Sequence, residues 1–92
     1  MKASKSFLEK GFVMTQNNRI LIYEKELLPQ VEKAYVIFYK DSEQWEAYRK
    51  NEYKGVVTIT KMHIRVELHV IITKQMSELG WLYDREKNKG LL

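Results

Sequence analysis

The chain of 92 residues contains no cysteine. Disulfides, thiolate nucleophiles and cysteine-ligated zinc are therefore excluded, and a reducing compartment, the cytoplasm, is expected. Proline occurs once, and the four glycines are scattered at positions 11, 55, 80 and 90. Such spacing excludes a glycine-rich loop of the kind that cradles phosphate. No apolar run approaches the roughly 20 residues of a membrane helix, the densest being Val70–Ile72, so no membrane association is expected. The opening residues MKASKSFLEKGF carry lysines without the continuous apolar stretch of a secretory leader. Internal repeats and low-complexity segments are also missing, and one small domain over residues 1–92 is expected.

What is present is ordinary for a globular chain: 45% hydrophobic and 30% charged residues, with a net charge of +4. A domain of this size buries only about 60–65% of its unfolded surface, which favours pairing with a copy of itself or with a larger protein. The charge is segregated along the chain. Residues 1–23 hold four bases against one acid, residues 24–46 hold six acids against three bases, and residues 47–65 hold five bases against Glu52 alone. A chain so divided has a directional field that its modest total understates.

The apolar pattern predicts an α+β fold: a small antiparallel sheet of four to five strands with a C-terminal helix packed on one face. Residues 1–12 read as a short helix or a loosely held arm, with Ser4 or Ser6 as cap and Gly11 as stop. Phe12–Thr15 and Arg19–Tyr23 flank Gln16-Asn17-Asn18, where asparagine's tolerance of positive φ suits a hairpin turn. Glu24–Lys33 contains Pro29 and reads as a loop with one helical turn. Ala34–Lys40 (AYVIFYK) is the clearest strand, and both of its alternate sets, Tyr35/Ile37/Tyr39 and Val36/Phe38, are apolar. A strand of that kind is covered on both sides, centrally or at an interface. Glu43–Asn51 continues it as a hairpin arm with Trp45, Ala47 and Arg49 on one face, and Gly55 opens a short strand over Val56–Thr60.

Residues 62–79 carry two periods at once. Ile64, Val66, Leu68, Val70 and Ile72 alternate as in a strand, whereas Ile64, Leu68, Ile71, Ile72, Met76 and Leu79 share a helical face. The helical period outlasts the other and predicts one long helix from 62 to 79, closed by Gly80 in the left-handed region with Trp81 folding back. Trp81 and Tyr83 are expected to pack on the sheet, and residues 84–92 to fray.

Chemistry-bearing patterns are sparse. His63 and His69 are about 240° apart on a helix and about 20 Å apart on a strand, so they do not share one metal ion. Ser4, Ser6, Ser42 and Ser77 stand in no recognisable nucleophile setting. No catalytic residue, metal or cofactor is assigned, and no small-molecule substrate is expected. The aromatics say more. Six of the eleven fall within residues 35–53, overlapping the basic stretch. The expected binding residues are accordingly Trp45, Tyr48, Arg49, Lys50, Tyr53, Lys54, Lys61 and Arg65. Rings beside cations serve protein interfaces, where Tyr, Trp and Arg are enriched. They also serve single-stranded nucleic acids, where rings stack on bases and cations follow phosphates. The leading expectation is a non-catalytic module acting through protein–protein contact, as a homodimer or as an accessory or inhibitory subunit of a larger intracellular protein. A small nucleic-acid-binding protein is the alternative.

Overall fold

Hairpin chemistry organises this chain, because each strand lies next to the one that follows it. The computed structural model describes residues 2–81. After helix α1 (Ala3–Glu9) come β1 (Val13–Gln16), β2 (Ile20–Leu28), β3 (Glu32–Tyr39), β4 (Gln44–Tyr53) and β5 (Val56–Lys61), and then helix α2 (Val66–Glu78). The strands form one antiparallel sheet in the order β1-β2-β3-β4-β5. The fold is α+β, with α2 packed on one face of the sheet. Tyr83 and residues 84–92 lie outside the described residues.

The turns explain the register. At β1–β2 the Asn17 side-chain oxygen accepts the N–H groups of Arg19 and Ile20 at 2.8 and 2.9 Å. Asparagine acts here as a side-chain mimic of a turn rather than through positive φ, which neither Asn17 nor Asn18 adopts. The β2–β3 turn corrects the loop expected over Glu24–Lys33. Strand β2 runs on to Leu28, and the Val31 N–H closes a tight turn on the Leu28 carbonyl at 2.9 Å. Pro29 occupies the second position of that turn, where its fixed φ fits and its missing N–H is not needed, and Gln30 takes φ 60°. The β4–β5 turn is two residues long, Lys54 and Gly55, both at positive φ (51° and 78°), as a type I′ hairpin requires.

Strand alternation then sorts the side chains. Leu21 and Tyr23 of β2 and Ala34, Val36 and Phe38 of β3 are buried under the helices, which contribute Phe7, Ile71 and Ile72, joined by Phe12 and Trp81. Phe7 stacks on Tyr23 with ring centroids 3.8 Å apart, and both rings meet Phe38 edge-on. A seven-residue helix is unstable alone, and burial of Ala3 and Phe7 supplies what its length lacks. Neither Ser4 nor Ser6 caps it. The Ala3 N–H instead donates to the Glu78 carboxylate at 2.7 Å, tying the start of α1 to the end of α2.

The helix expected from residue 62 begins at Val66. Met62 and Ile64 pack inward while His63 and Arg65 face water, so the period of two holds through this extended crossing and the helical face starts at Leu68. Reaching the start of α2 from the end of β5 takes extended chain, and that distance decides between the two competing periods. At its other end α2 stops at Gly80, φ 88°, whose N–H bonds the Ser77 carbonyl. Trp81 turns back onto the sheet with its ring 6.2 Å from that of Phe38.

Candidate interaction surfaces

Two surfaces gather the side chains that composition singled out. The first is the sheet face away from the helices. Cross-strand pairing places Ile22 beside Ile37, Glu24 beside Tyr35, and Tyr35 beside Tyr48 and then Lys61. Nothing among the described residues covers this face, yet Ile37 is only 7% exposed, because its neighbours Ile20, Ile22, Tyr35, Tyr39 and Tyr48 close around it. Tyr35 and Tyr48 stack at 5.2 Å. Their phenols are held above the ordinary tyrosine range, chiefly by burial and secondarily by Glu24 for Tyr35 and by Glu46 for Tyr48. Tyr39 donates its hydroxyl to Glu46, and that bond, followed by burial, pushes its pKa up to about 12. All three rings therefore stay neutral across physiological pH. The charges lie around them. Lys33 bridges Glu24 at 3.3 Å, a hydrogen bond that raises the lysine's pKa. Glu26 stands on the β2 side, and Lys50 and Lys61 on the β4–β5 side.

The second surface is a cleft of about 580 Å³ on the helix-bearing side. Phe12, Ala34, Met62 and Leu68 line it with apolar surface, while Lys10, Lys25, Arg49, His63 and Arg65 supply cationic or titratable groups. Its one carboxylate, Glu67, is bound to Lys10 at 2.6 Å, and that contact holds the Glu67 pKa below the usual carboxylate range. A separate groove, of about 730 Å³ and lined by Trp45, Ala47, Ile59, Met62 and Ile64, opens where β4 runs beyond the end of β5.

The eight residues expected to bind a partner therefore do not share one face. Alternation along β4 sends Trp45, Arg49 and Tyr53 to the helix side and Tyr48 and Lys50 to the open side, where Lys61 joins them. Lys54 occupies the β4–β5 turn, its ammonium 5.4 Å from the Tyr53 ring. Arg65 lies in the crossing just ahead of α2 and meets Arg49 in the cleft. Lys10 and Lys25 escaped the sequence reading because they come from distant stretches with no shared motif, and His63 enters it only in the weighing of a metal ligand. No protein-family model, curated protein or solved structure matches this chain.

No cluster of three or more metal-ligating side chains occurs among the described residues. The His69 ring meets the Thr73 hydroxyl at 3.5 Å on an exposed stretch of α2, one turn apart. Among the described residues no helix is long and apolar enough to cross a membrane.

Proposed function

We propose that this chain is a non-catalytic protein-binding module and that its open sheet face pairs with a second copy of itself. The observation that carries the reading is the uncovered cluster of Ile22, Ile37, Tyr35, Tyr39 and Tyr48, rimmed by charge of both signs. The five strands, 37 residues in all, at about 3.4 Å per residue and about 4.8 Å between strands present roughly 600 Å² in projection. The accessible surface of the protruding side chains exceeds that projection, which brings it to the scale of about 800 Å² per partner in stable complexes.

The charge layout favours self-pairing. A two-fold axis along β3 lays the β2 column of one copy over the β4 column of the other. Tyr35 and Tyr39 then meet their own counterparts above the buried Ile37, Glu26 lies opposite the partner's Lys50, and Lys33, bridged by Glu24, lies on the axis. Two sheets facing each other in this way stand about 10 Å apart, the spacing of a β-sandwich core. The nucleic-acid alternative is weaker on this face, because Glu24, Glu26 and Glu46 are interspersed with its lysines and Lys33 is already neutralised by Glu24. A chain without cysteine suits the cytoplasm, which is the compartment we assign to it.

Light scattering at tens of micromolar tests the proposal. The expected mass is twice the 11.1 kDa of one chain, with little change at moderate salt because the centre of the contact is apolar. Ile37→Glu and, separately, Tyr48→Glu should each give folded monomer. A wild-type monomer at that concentration refutes the reading, as does a dimer that survives both substitutions.

A further inference from the structure

The cleft between the sheet and the start of α2 has no part in the dimer contact, and its composition is unusual for a small solvated surface. Four elements converge on it: Lys10 follows α1, Lys25 comes from β2, Arg49 from β4, and His63 and Arg65 from the crossing into α2. Four permanent cations share the concavity with one carboxylate, and that carboxylate is occupied by Lys10. Arg49 meets Glu32 only at the 4.0 Å limit of an ion pair. Like charges gathered in a concave site repel one another and raise the local concentration of anions.

The packing around Lys25 fixes its stem rather than leaving it to wander. Gly11 turns the chain at φ 93°, and a Cβ placed there would stand 3.2 Å from the Lys25 Cε. The lysine stem is laid in the space that the missing side chain leaves, and its ammonium lies 5.8 Å from the Phe12 ring. The walls between the cations are apolar: Phe12 and Ala34 are buried, and Leu68 packs against the core. A volume of about 580 Å³ falls within the range of small-molecule sites, which combine apolar walls with a few placed polar groups.

We infer that this cleft binds a small amphipathic anion, a phosphate or carboxylate attached to a ring or short apolar body. The acid group sits among Lys25, Arg49 and Arg65, where an arginine fork donates to two oxygens at once. The apolar body lies against Phe12 and Leu68. The assignment revises the expectation that the chain has no small-molecule partner. It stands independently of the dimer, because the cleft and the open sheet face lie on opposite sides of the sheet.

The test uses 1-naphthyl phosphate, with 1-naphthol and inorganic phosphate as its two halves and a twelve-residue oligothymidylate as a polymeric source of phosphate. Titration calorimetry at low salt should show saturable binding of 1-naphthyl phosphate, at least tenfold tighter than either half and weakening as salt rises. Arg49→Gln combined with Arg65→Gln should cost about tenfold or more, the scale of lost charge-assisted bonds, whereas Lys50→Gln on the opposite face should change nothing. Amide shifts in the wild-type protein provide a readout that needs no variant: they should move at Phe12, His63 and Leu68 and remain still at Ile37 and Tyr48. The inference is overturned by absence of binding at millimolar probe, by equal loss in Lys50→Gln, or by shifts confined to the open face. Tighter binding of the oligothymidylate than of the free monoester would overturn the small-ligand assignment in favour of a nucleic-acid phosphate subsite.

Discussion

Tyr23→Phe isolates a buried polar pair that, among the described residues, joins the sheet to α2. Tyr23 is 1% exposed and its hydroxyl donates to the side-chain oxygen of Gln75, itself 6% exposed. Removing the hydroxyl leaves the ring stack on Phe7 intact but strands a buried acceptor, a loss of about 1–3 kcal/mol at neutral pH. The same group sets an alkaline limit. Burial, with a smaller contribution from Glu78, pushes the Tyr23 pKa up to about 12 from the ordinary 10.0. The folded state thus keeps the proton to higher pH than the unfolded chain does. The stabilisation is complete below pH 10, falls as pH rises through 10 to 12, and amounts to about 3 kcal/mol. Tyr39, also raised to about 12, acts in the same direction but is more exposed, so solvent screening reduces its share. Urea unfolding at pH 7, 10 and 11.5 should show wild type losing stability steeply above pH 10, and Tyr23→Phe starting lower and losing less. Equal slopes for the two proteins above pH 10 would refute the assignment of the alkaline transition to Tyr23.

The remaining predictions concern the ends of elements. Gly80→Ala should destabilise by about 1 kcal/mol through backbone conformation alone, since a Cβ at φ 88° meets nothing within 4 Å; thermal melts check it. Trp81→Ala should cost about 3–5 kcal/mol, because a ring 5% exposed against Phe38 leaves a large cavity; a neutral result in chemical denaturation would show that the turn back onto the sheet contributes nothing. Lys54→Asn should raise stability by some tenths of a kcal/mol up to about 1, because asparagine tolerates the φ of 51° that this I′ turn imposes. A lower melting temperature for Lys54→Asn would contradict that account.

The strands were legible where local chemistry and hydrophobic period agree. AYVIFYK and the Gly55 turn read directly as sheet because β-branched and aromatic residues stand between strong turn formers. Pro29 misled for a definite reason: a proline signals the end of a strand, but a tight turn needs only three residues, so both strands approach it closely. The start of α2 was ambiguous because residues 62–72 satisfy periods of 2 and 3.6 together, and the choice depends on how far the chain must travel after β5. That distance is a tertiary quantity with no local trace. The cationic cleft was illegible for the same reason. Lys10 lies in the basic first stretch and Lys25 in the acidic second one, both far along the chain from residues 47–65, and only the fold brings them to Arg49 and Arg65.

The segregation of charge along the chain acquires a structural meaning through the meander. Because consecutive strands are neighbours, charges from successive stretches of the chain become neighbouring columns on one face. On the open face Glu24 and Glu26 stand on β2, Lys33 on β3, Glu46, Lys50 and Glu52 on β4 and Lys61 on β5, with Tyr35, Ile37 and Tyr39 of β3 at the centre. Rotation about the line midway between the β2 and β4 columns sets Glu26 against the partner's Lys50. That line is β3, which is also the most apolar strand and carries both Ile37 and Tyr35. Charge steers the copies into register and the apolar centre supplies the affinity, so the two contributions are separable by experiment. Reversing Lys50 and Lys61 to glutamate should slow association and raise its salt sensitivity while leaving each chain folded, and Ile37→Glu should abolish association at any salt. If the charge reversal left the association rate unchanged, the column arrangement would have no role in orienting the pair.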